Sequence, residues 1–334
     1  MHSDILRIVG IGEAMVELSP AGEGLYRLGF AGDTFNTAWH LAQLLGGRAS
    51  VGFCTRIGTD ATSQRFVSEL KRDGLDTKVV GRDKSKHMGL YMIELNGTER
   101  SFQYWRGESA AKSLANKSAK LEQDQAGADL IHISGITVAI LPPHAREKLL
   151  RTLSTARRTG TRISFDPNVR PALWSSLDKA RNATLDFVAI ADIVLPSFDD
   201  ERLLWGDSNP TQTVRRYRDL GVAETVVKNG SDPVTCATPG EQHWLPTPAV
   251  SGIVDTTGAG DAFNAGYLAA RCQELGQTEA VAAGQAVSAE VLKSAGARAH
   301  RDTIRALGLR LFGSQPEVAA RRDDITLDDG AALD

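Results

Sequence analysis

The chain has few cysteines, no surplus of positive charge and no long apolar run, and each shortage removes a class of function. Its three cysteines, Cys54, Cys236 and Cys272, lie far apart. No pair has the close spacing of a zinc site or a redox dithiol, so buried reduced thiols are expected rather than a metal or disulfide framework. The histidines form no cluster with metal-ligand spacing. The formal net charge is −3, so neither nucleic acid nor an anionic membrane is expected as a general partner. No apolar run approaches the ~20 residues of a membrane span. Met1-His2-Ser3-Asp4 lacks the basic and long apolar regions of a signal peptide, and a cytoplasmic location is the expectation. Internal repeats are absent as well.

What is present suits an ordinary globular protein. A hydrophobic fraction of 42% and a charged fraction of 24% over 334 residues fit one large α/β domain or two smaller ones. Ile5 to Gly10 is a short apolar run ending in Gly10-x-Gly12. It lacks the third glycine and the following helix of a dinucleotide loop. Glu13 to Leu18 instead alternates with period two, as a surface strand does, and Leu25 to Leu28 reads as its return partner. A helix then runs through Leu44, and Val51 to Thr55 is strand-like. Leu90 to Leu95 and Arg100 to Arg106 are strand-like too, joined by Asn96-Gly97, a strong hairpin turn. The two hairpins can form a small sheet of their own.

From Asp129 onward the pattern becomes regular. Leu130 to Ser134, Arg162 to Asp166, Ile193 to Pro196 and Thr225 to Lys228 are short apolar runs. Helical segments beginning at Pro143, Leu177, Phe198 and Thr211 separate them. Such alternation implies a parallel sheet with right-handed crossovers, whose ligands sit beyond the carboxyl ends of the strands. Asp166-Pro167-Asn168-Val169-Arg170-Pro171 falls at such an end. Gly284 to Lys293 reads as a further helix. Gly313 to Asp334 mixes charge with Gly, Ala and Pro and is expected to be poorly ordered.

The chemistry concentrates in Asp255-Thr256-Thr257-Gly258-Ala259-Gly260-Asp261. A helical pattern begins there, with Phe263 and Tyr267 one turn apart and Ala262, Gly266 and Ala269 forming a small-residue face. A helix opened by small residues directs unpaired backbone N–H groups and its positive dipole end at whatever approaches. An anion can come close because little side chain stands in the way. Asp261 could serve merely as a first-turn charge. It could also accept the proton of an attacking alcohol, which suits phosphoryl transfer, where catalysis is mostly positioning and charge stabilisation.

This stretch resembles the C-terminal signature of the ribokinase-like (PfkB) family of carbohydrate kinases, D-T-x-G-A-G-D, at every position. The resemblance extends over roughly residues 5 to 312. It implies a single ribokinase-like α/β domain with helices on both faces of a mostly parallel sheet, and a small β-sheet lid within about residues 13–34 and 88–110. It further implies that Gly258, Ala259, Gly260 and Asp261 form the anion hole and base. Thr256 and Thr257 would line the phosphate path with that turn, and Lys228 and Gly230 would lie near the phosphates and base of ATP. In Ala31 to Asn36, Gly32, Asp33 and Asn36 match sugar-binding positions, although Ala31 replaces the first of a usual glycine pair. The family often carries Asn-x-x-Glu near a hydrated Mg²⁺; here Ser197 and Asp200 stand in those places, so Asp200 is an indirect Mg²⁺ candidate. The resemblance also leaves room for a monovalent cation and for a homo-oligomer formed through the lid.

Four stretches narrow the resemblance to the branch acting on acidic keto-sugars: Ala31 to Asn36, Gly89-Leu90-Tyr91, Tyr104-Trp105-Arg106, and Phe165 to Trp174. They imply that Tyr91, Tyr104, Arg106, Asp166, Asn168 and Arg170 bind substrate. Arg suits such a ligand because it can grip a carboxylate bidentately. The expected reaction is ATP-dependent phosphorylation of 2-dehydro-3-deoxy-D-gluconate at its terminal hydroxyl. The alternatives are a neutral-sugar kinase, fructokinase- or ribokinase-like, and a non-catalytic sugar sensor of the same fold.

Overall fold

The structure is a computed structural model and describes residues 5–96, 99–116 and 118–313. Gly97 of the Asn96-Gly97 turn and the tail from Ser314 onward lie outside the described residues. The chain runs through β1 (Leu6–Ile11), β2 (Met15–Gly22), β3 (Leu25–Ala31), α1 (Asp33–Leu45), β4 (Ala49–Ile57), α2 (Ala61–Arg72), β5 (Val80–Arg82), β6 (Gly89–Asn96) and β7 (Glu99–Trp105). It continues through α3 (Ser118–Gln125), β8 (Leu130–Ser134), α4 (Gly135–Ile140), α5 (Pro143–Arg158), β9 (Arg162–Asp166) and α6 (Leu177–Val188). Then come β10 (Ile193–Val194), α7 (Phe198–Trp205), α8 (Pro210–Asp219), β11 (Glu224–Val227), β12 (Val234–Thr238), β13 (Glu241–Leu245), α9 (Ala259–Cys272), α10 (Gln277–Leu292) and α11 (Arg301–Phe312).

Among the described residues, nine strands form the main sheet in the order β13-β12-β11-β10-β9-β8-β1-β4-β5. The ladders are parallel except where β12 pairs with β11 and with β13. Strands buried on both faces feed two cores, because successive side chains point opposite ways. Ile8 and Leu130 join Phe35, Leu41, Tyr267, Val281 and Ile304 on the α1, α9, α10 and α11 side. Val9, Ile11, Ile131 and Ile133 join Leu149, Leu153, Phe187 and Tyr217 on the other. The α/β architecture expected from the alternation is therefore present, with helices on both faces.

The small sheet is also present, in the order β3-β2-β6-β7. β2 runs antiparallel to β3 and parallel to β6, and β6 runs antiparallel to β7. Met15, Ala31, Tyr91 and Ile93 pack together within it. The chain passes from the end of β1 through Gly12 and Glu13 straight into β2, so the small sheet begins where the main sheet presents its carboxyl ends.

Two features depart from the sequence reading. α10 begins at Gln277, not near Gly284, with the Gly276 N–H donating to Glu279 Oε2 (2.8 Å). Its small residues serve close packing: a Cβ on Gly284 would stand 2.9 Å from Phe263 O of α9, and one on Gly266 would stand 2.6 Å from Ala283 O. The β12–β13 hairpin extends the sheet antiparallel, turning at Gly240 with φ 90°. Val234 to Ala237 of β12 are buried on both faces, so the strand shows no alternation to read.

Candidate active site

The Gly-Ala-Gly-Asp turn is held from below. Gly258 caps α9 with φ 75°, the left-handed region that favours glycine, and a Cβ there would lie 2.6–2.7 Å from Ala297. Asp255 ties the turn to the same neighbouring loop. Its Oδ1 accepts from the Thr257 N–H (3.0 Å) and hydroxyl (2.8 Å), and its Oδ2 from the Gly296 N–H (2.8 Å). The first N–H groups of α9, Gly260 and Asp261 among them, have no carbonyl one turn back inside the helix to receive them. They form an electropositive end at which negative charge is stabilised.

Asp261 sits in this first turn, facing α1. Asn36 Nδ2 donates to its Oδ2 at 2.8 Å, and the Thr37 hydroxyl donates to its carbonyl at 3.1 Å. The residue lies deep in the cleft yet keeps some solvent contact. Burial, reinforced by the negative charge of Asp33, pushes its carboxyl up to about 7; the Asn36 bond and Lys228 pull the other way, and Asp166 adds to the rise. A carboxylate so poised can take a proton near neutrality. Asn36 Oδ1 is buried with no hydrogen-bond partner among the described residues, an acceptor left unused beside Asp261.

Strand ends supply the rest. Asp166, the last residue of β9, is fully engaged: Oδ1 accepts from the Asn168 N–H (3.1 Å), and Oδ2 from Lys228 Nζ (2.7 Å) and Asn264 Nδ2 (2.7 Å). Burial would raise its pKa, but the Lys228 charge and these bonds outweigh it and hold the carboxyl low. Asn168 adopts φ 35° and donates to Asp33 Oδ2 at 2.8 Å, fixing the carboxylate at the head of α1. Gly32 just before it has no room for a side chain, since a Cβ would fall 2.1 Å from Glu13 O. Asp200, raised by burial, accepts from the Val169 N–H (3.0 Å) and stands 3.6 Å from Arg170 Nη1. Ser197 and Lys228 form an isolated parallel bridge, so the ends of β10 and β11 lie side by side. Gly230 follows with φ 57°, and Thr256 is exposed before the turn.

On the small sheet, Tyr91 and Tyr104 are cross-strand partners with ring centroids 5.7 Å apart. Tyr91 is buried and donates its hydroxyl to Glu17; Tyr104 is half exposed. Arg106 donates to Glu13 and lies beside the Tyr104 ring, 5.9 Å from its centroid. Glu13 is raised by burial, an effect that Arg106 partly offsets. Each arginine of interest therefore already faces a carboxylate of its own chain, Glu13 for Arg106 and Asp200 for Arg170.

The tertiary structure thus draws Gly32, Asp33, Asn36, Asp166, Asn168, Lys228 and Asp261 into one hydrogen-bonded array, with Gly260 beside Lys228. Arg106 and Tyr91 belong to separate pairs on the small sheet. Sequence reading missed Glu13 and Asn264. Asn264 could have been found, since it lies three residues after Asp261 and so shares its face of the helix; Glu13 had no signal beyond a carboxylate following Gly12. A cavity of about 450 Å³ lies to one side, bordered by Glu17, Trp39, Glu69, Asp73 and Arg298. Its border includes the loop bearing Ala297 that packs against Gly258, and Arg298 pairs there with Glu69 and Arg72 with Asp73. Among the described residues no group of three or more acidic, His or Cys side chains could hold a metal ion, and no helix is long and apolar enough to cross a membrane.

With this geometry in hand, the chain was compared with known proteins. It matches the pfkB family carbohydrate kinase model over residues 6–304. It is 37% identical over 308 residues to the 2-dehydro-3-deoxygluconokinase of Escherichia coli strain K12, an alignment covering 90% of this chain and 99% of that one. Among solved structures, the PfkB protein from Polaromonas sp. JS666 superposes with a TM-score of 0.79 at 29% identity, over 90% of this chain and 99% of that one. An Escherichia coli protein crystallised with ATP and Mg²⁺ shares the fold at a TM-score of 0.79 and 22% identity, over 91% of this chain and 99% of its own.

Proposed function

Because the chain belongs to the pfkB family of carbohydrate kinases, we propose that it transfers the γ-phosphoryl group of ATP to the terminal hydroxyl of 2-dehydro-3-deoxy-D-gluconate. The observation carrying this reading is a carboxylate raised to about 7, Asp261, placed in the first turn of an open helix N-terminus. Asp261 takes the proton of the 6-hydroxyl as its oxygen attacks phosphorus. The bond from phosphorus to the β–γ bridging oxygen breaks, and ADP leaves. Backbone N–H groups of Gly258 to Asp261 stabilise the charge on the transferring group. Asn36 orients both the base and, through its unpartnered Oδ1, a sugar hydroxyl. Asp33 and Asn168 line the same wall.

The donor set fits a Mg²⁺ carried by the nucleotide and not by a protein cage, and Asp200 would help hold it indirectly, through water. The ion, when bound, neutralises phosphate charge. A monovalent cation near the turn is an accessory in this reading, tested by comparing rates in potassium and tetramethylammonium salts. Ser197, Lys228, Gly230, Thr256 and Thr257 border the nucleotide.

Arg106 and Arg170 favour an acid. Arg106 gives its Nη2 to Glu13 and Arg170 its Nη1 to the Val169 carbonyl, while each guanidinium has five N–H donors to place. Glu13 and Asp200 would satisfy the arginines with a neutral sugar bound as well, so a substrate comparison must decide. The small sheet closes over the sugar as a lid, and its exposed Leu25, Tyr26 and Trp105 offer a surface for a second copy, checked by analytical ultracentrifugation. Residues 1–312, lid strands included, act as one domain, and the enzyme works in the cytoplasm, where ATP is supplied.

The test is an ATP-coupled assay over the keto acid, its carboxylate-reduced alcohol, fructose and ribose. Preference for the keto acid in kcat/KM is expected. Equal or better use of fructose or ribose overturns the substrate assignment, and no turnover of any sugar overturns catalysis.

A further inference from the structure

We infer that Asn264 is a positioning residue for phosphoryl transfer, holding Lys228 so that its ammonium faces the phosphoryl-binding turn. Three groups close a triangle here. Lys228 Nζ donates to Asp166 Oδ2 (2.7 Å) and to Asn264 Oδ1 (2.9 Å), and Asn264 Nδ2 donates to the same Asp166 oxygen (2.7 Å). All three residues are buried. Nζ lies 3.7 Å from where a Gly260 Cβ would stand, so the ammonium sits against the glycine of the anion-binding turn. Two of its three N–H groups are used inside the triangle, and one remains for an incoming anion.

The alternative is that Asn264 only packs α9 against the sheet. Neighbouring positions of α9 do that with Ala262, Ala265, Gly266 and Ala269, which bring no polar atoms needing partners. An asparagine that uses both ends of its amide in this array has a directional task. Asp166 alone would draw the lysine toward the end of β9; the Asn264 carbonyl draws it to the helix. Since Asn264 follows Asp261 by three residues, one helical turn carries the base and aims the cation that stabilises the transferred group.

Asp261 reports on this arrangement. It is faced by Asp33 from α1 and Asp166 from β9, which raise its pKa with burial, and by Lys228 from the end of β11, which lowers it. Asn36 is its neutral partner. Letting Lys228 swing away therefore moves the acidic limb of the pH profile to higher pH, which lost packing would not do.

The inference rests on the phosphoryl-transfer reading, and its test can fail separately. Asn264→Ala, Asn264→Ser, Lys228→Met and Lys228→Met/Asn264→Ala are compared with wild type using ATP, Mg²⁺ and the keto acid between about pH 5.5 and 9. Expected for Asn264→Ala is a fall in kcat of ~10- to 100-fold, within the range seen when one charge-stabilising donor is lost or misplaced. The KM of the keto acid should stay within about two-fold, and the acidic limb should rise by about half a unit or more. The double variant should be no slower than Lys228→Met alone, because the two residues act as one unit. Should Asn264→Ala not fold, Asn264→Ser carries the same expectations. Folded variants with near wild-type kcat, an unmoved acidic limb, or a loss that multiplies in the Lys228→Met background would each overturn the inference. So would a normal kcat in Lys228→Met, although the kinase reading, resting on Asp261, would then still stand.

Discussion

Asp261→Asn keeps the shape of the side chain and removes its charge, and activity and stability should then move in opposite directions. In the folded protein burial and Asp33 raise the carboxyl from 3.8 to about 7. A group with a raised folded pKa contributes stability that is fully present below its unfolded pKa and is lost as pH rises through the folded one. Above about pH 7 the ionised Asp261 is therefore a cost that the amide avoids. A shift of about 3 units at 1.36 kcal/mol each sets an upper bound of about 4 kcal/mol; the residue's solvent contact reduces this to about 2 kcal/mol. The variant should melt a few degrees above wild type at pH 8, and the gain should vanish by about pH 4. The Asn36 amide can still donate to the new side-chain oxygen, so the pair is not broken. Turnover should fall ~10²- to 10⁴-fold. Wild-type kcat/KM should rise with pH through about 7 as the base deprotonates. Scanning calorimetry at both pH values and a coupled assay at pH 8 give the comparison. An unchanged or lower Tm at pH 8, or a gain persisting at pH 4, would mean that the carboxylate is not held against its preference. Near wild-type turnover would remove it as the base.

Gly258→Ala places a side chain at φ 75° and 2.6–2.7 Å from Ala297. Strain of about 1–3 kcal/mol should lower Tm and cut turnover more than tenfold by distorting the turn, while keto-acid KM changes little; calorimetry and kinetics check both. Arg106→Ala and Arg170→Ala should raise KM for the keto acid by roughly 10- to 150-fold, from about 1.5–3 kcal/mol per charge-assisted bond, with much smaller losses for the alcohol analogue. Equal losses for acid and alcohol at both positions would show that neither arginine reads the carboxylate. Arg106→Ala should also lower Tm, since Glu13 is left buried without its partner. Saturating keto acid should increase amide-exchange protection in β2, β3, β6 and β7; unchanged protection in all four would argue against a closing lid.

Much of the architecture could be read from the chain because its determinants are local. β8 and β9 appear at the residues where their apolar runs lie, and the period-two stretch near Met15 and the strand-like run near Leu90 became part of the second sheet. β12 could not be read this way, being buried on both faces. Nor could the true start of α10, where a glycine cap and a run of small residues blur the helical pattern. The seven residues from Asp255 to Asp261 were legible as a helix start with little side chain over its backbone N–H groups and a carboxylate in its first turn, because two glycines, an alanine and an aspartate are adjacent there. Tertiary structure alone decided how the charges are shared. Asn36 meets Asp261 across 225 positions of sequence, Lys228 meets Asp166 across 62, and Arg106 meets Glu13 across 93. Composition and spacing identify which groups can ionise; only folding sets their burial and their neighbours. It is burial beside Asp33 that brings Asp261 near neutrality, and pairing with Lys228 that keeps Asp166, another aspartate, fully charged.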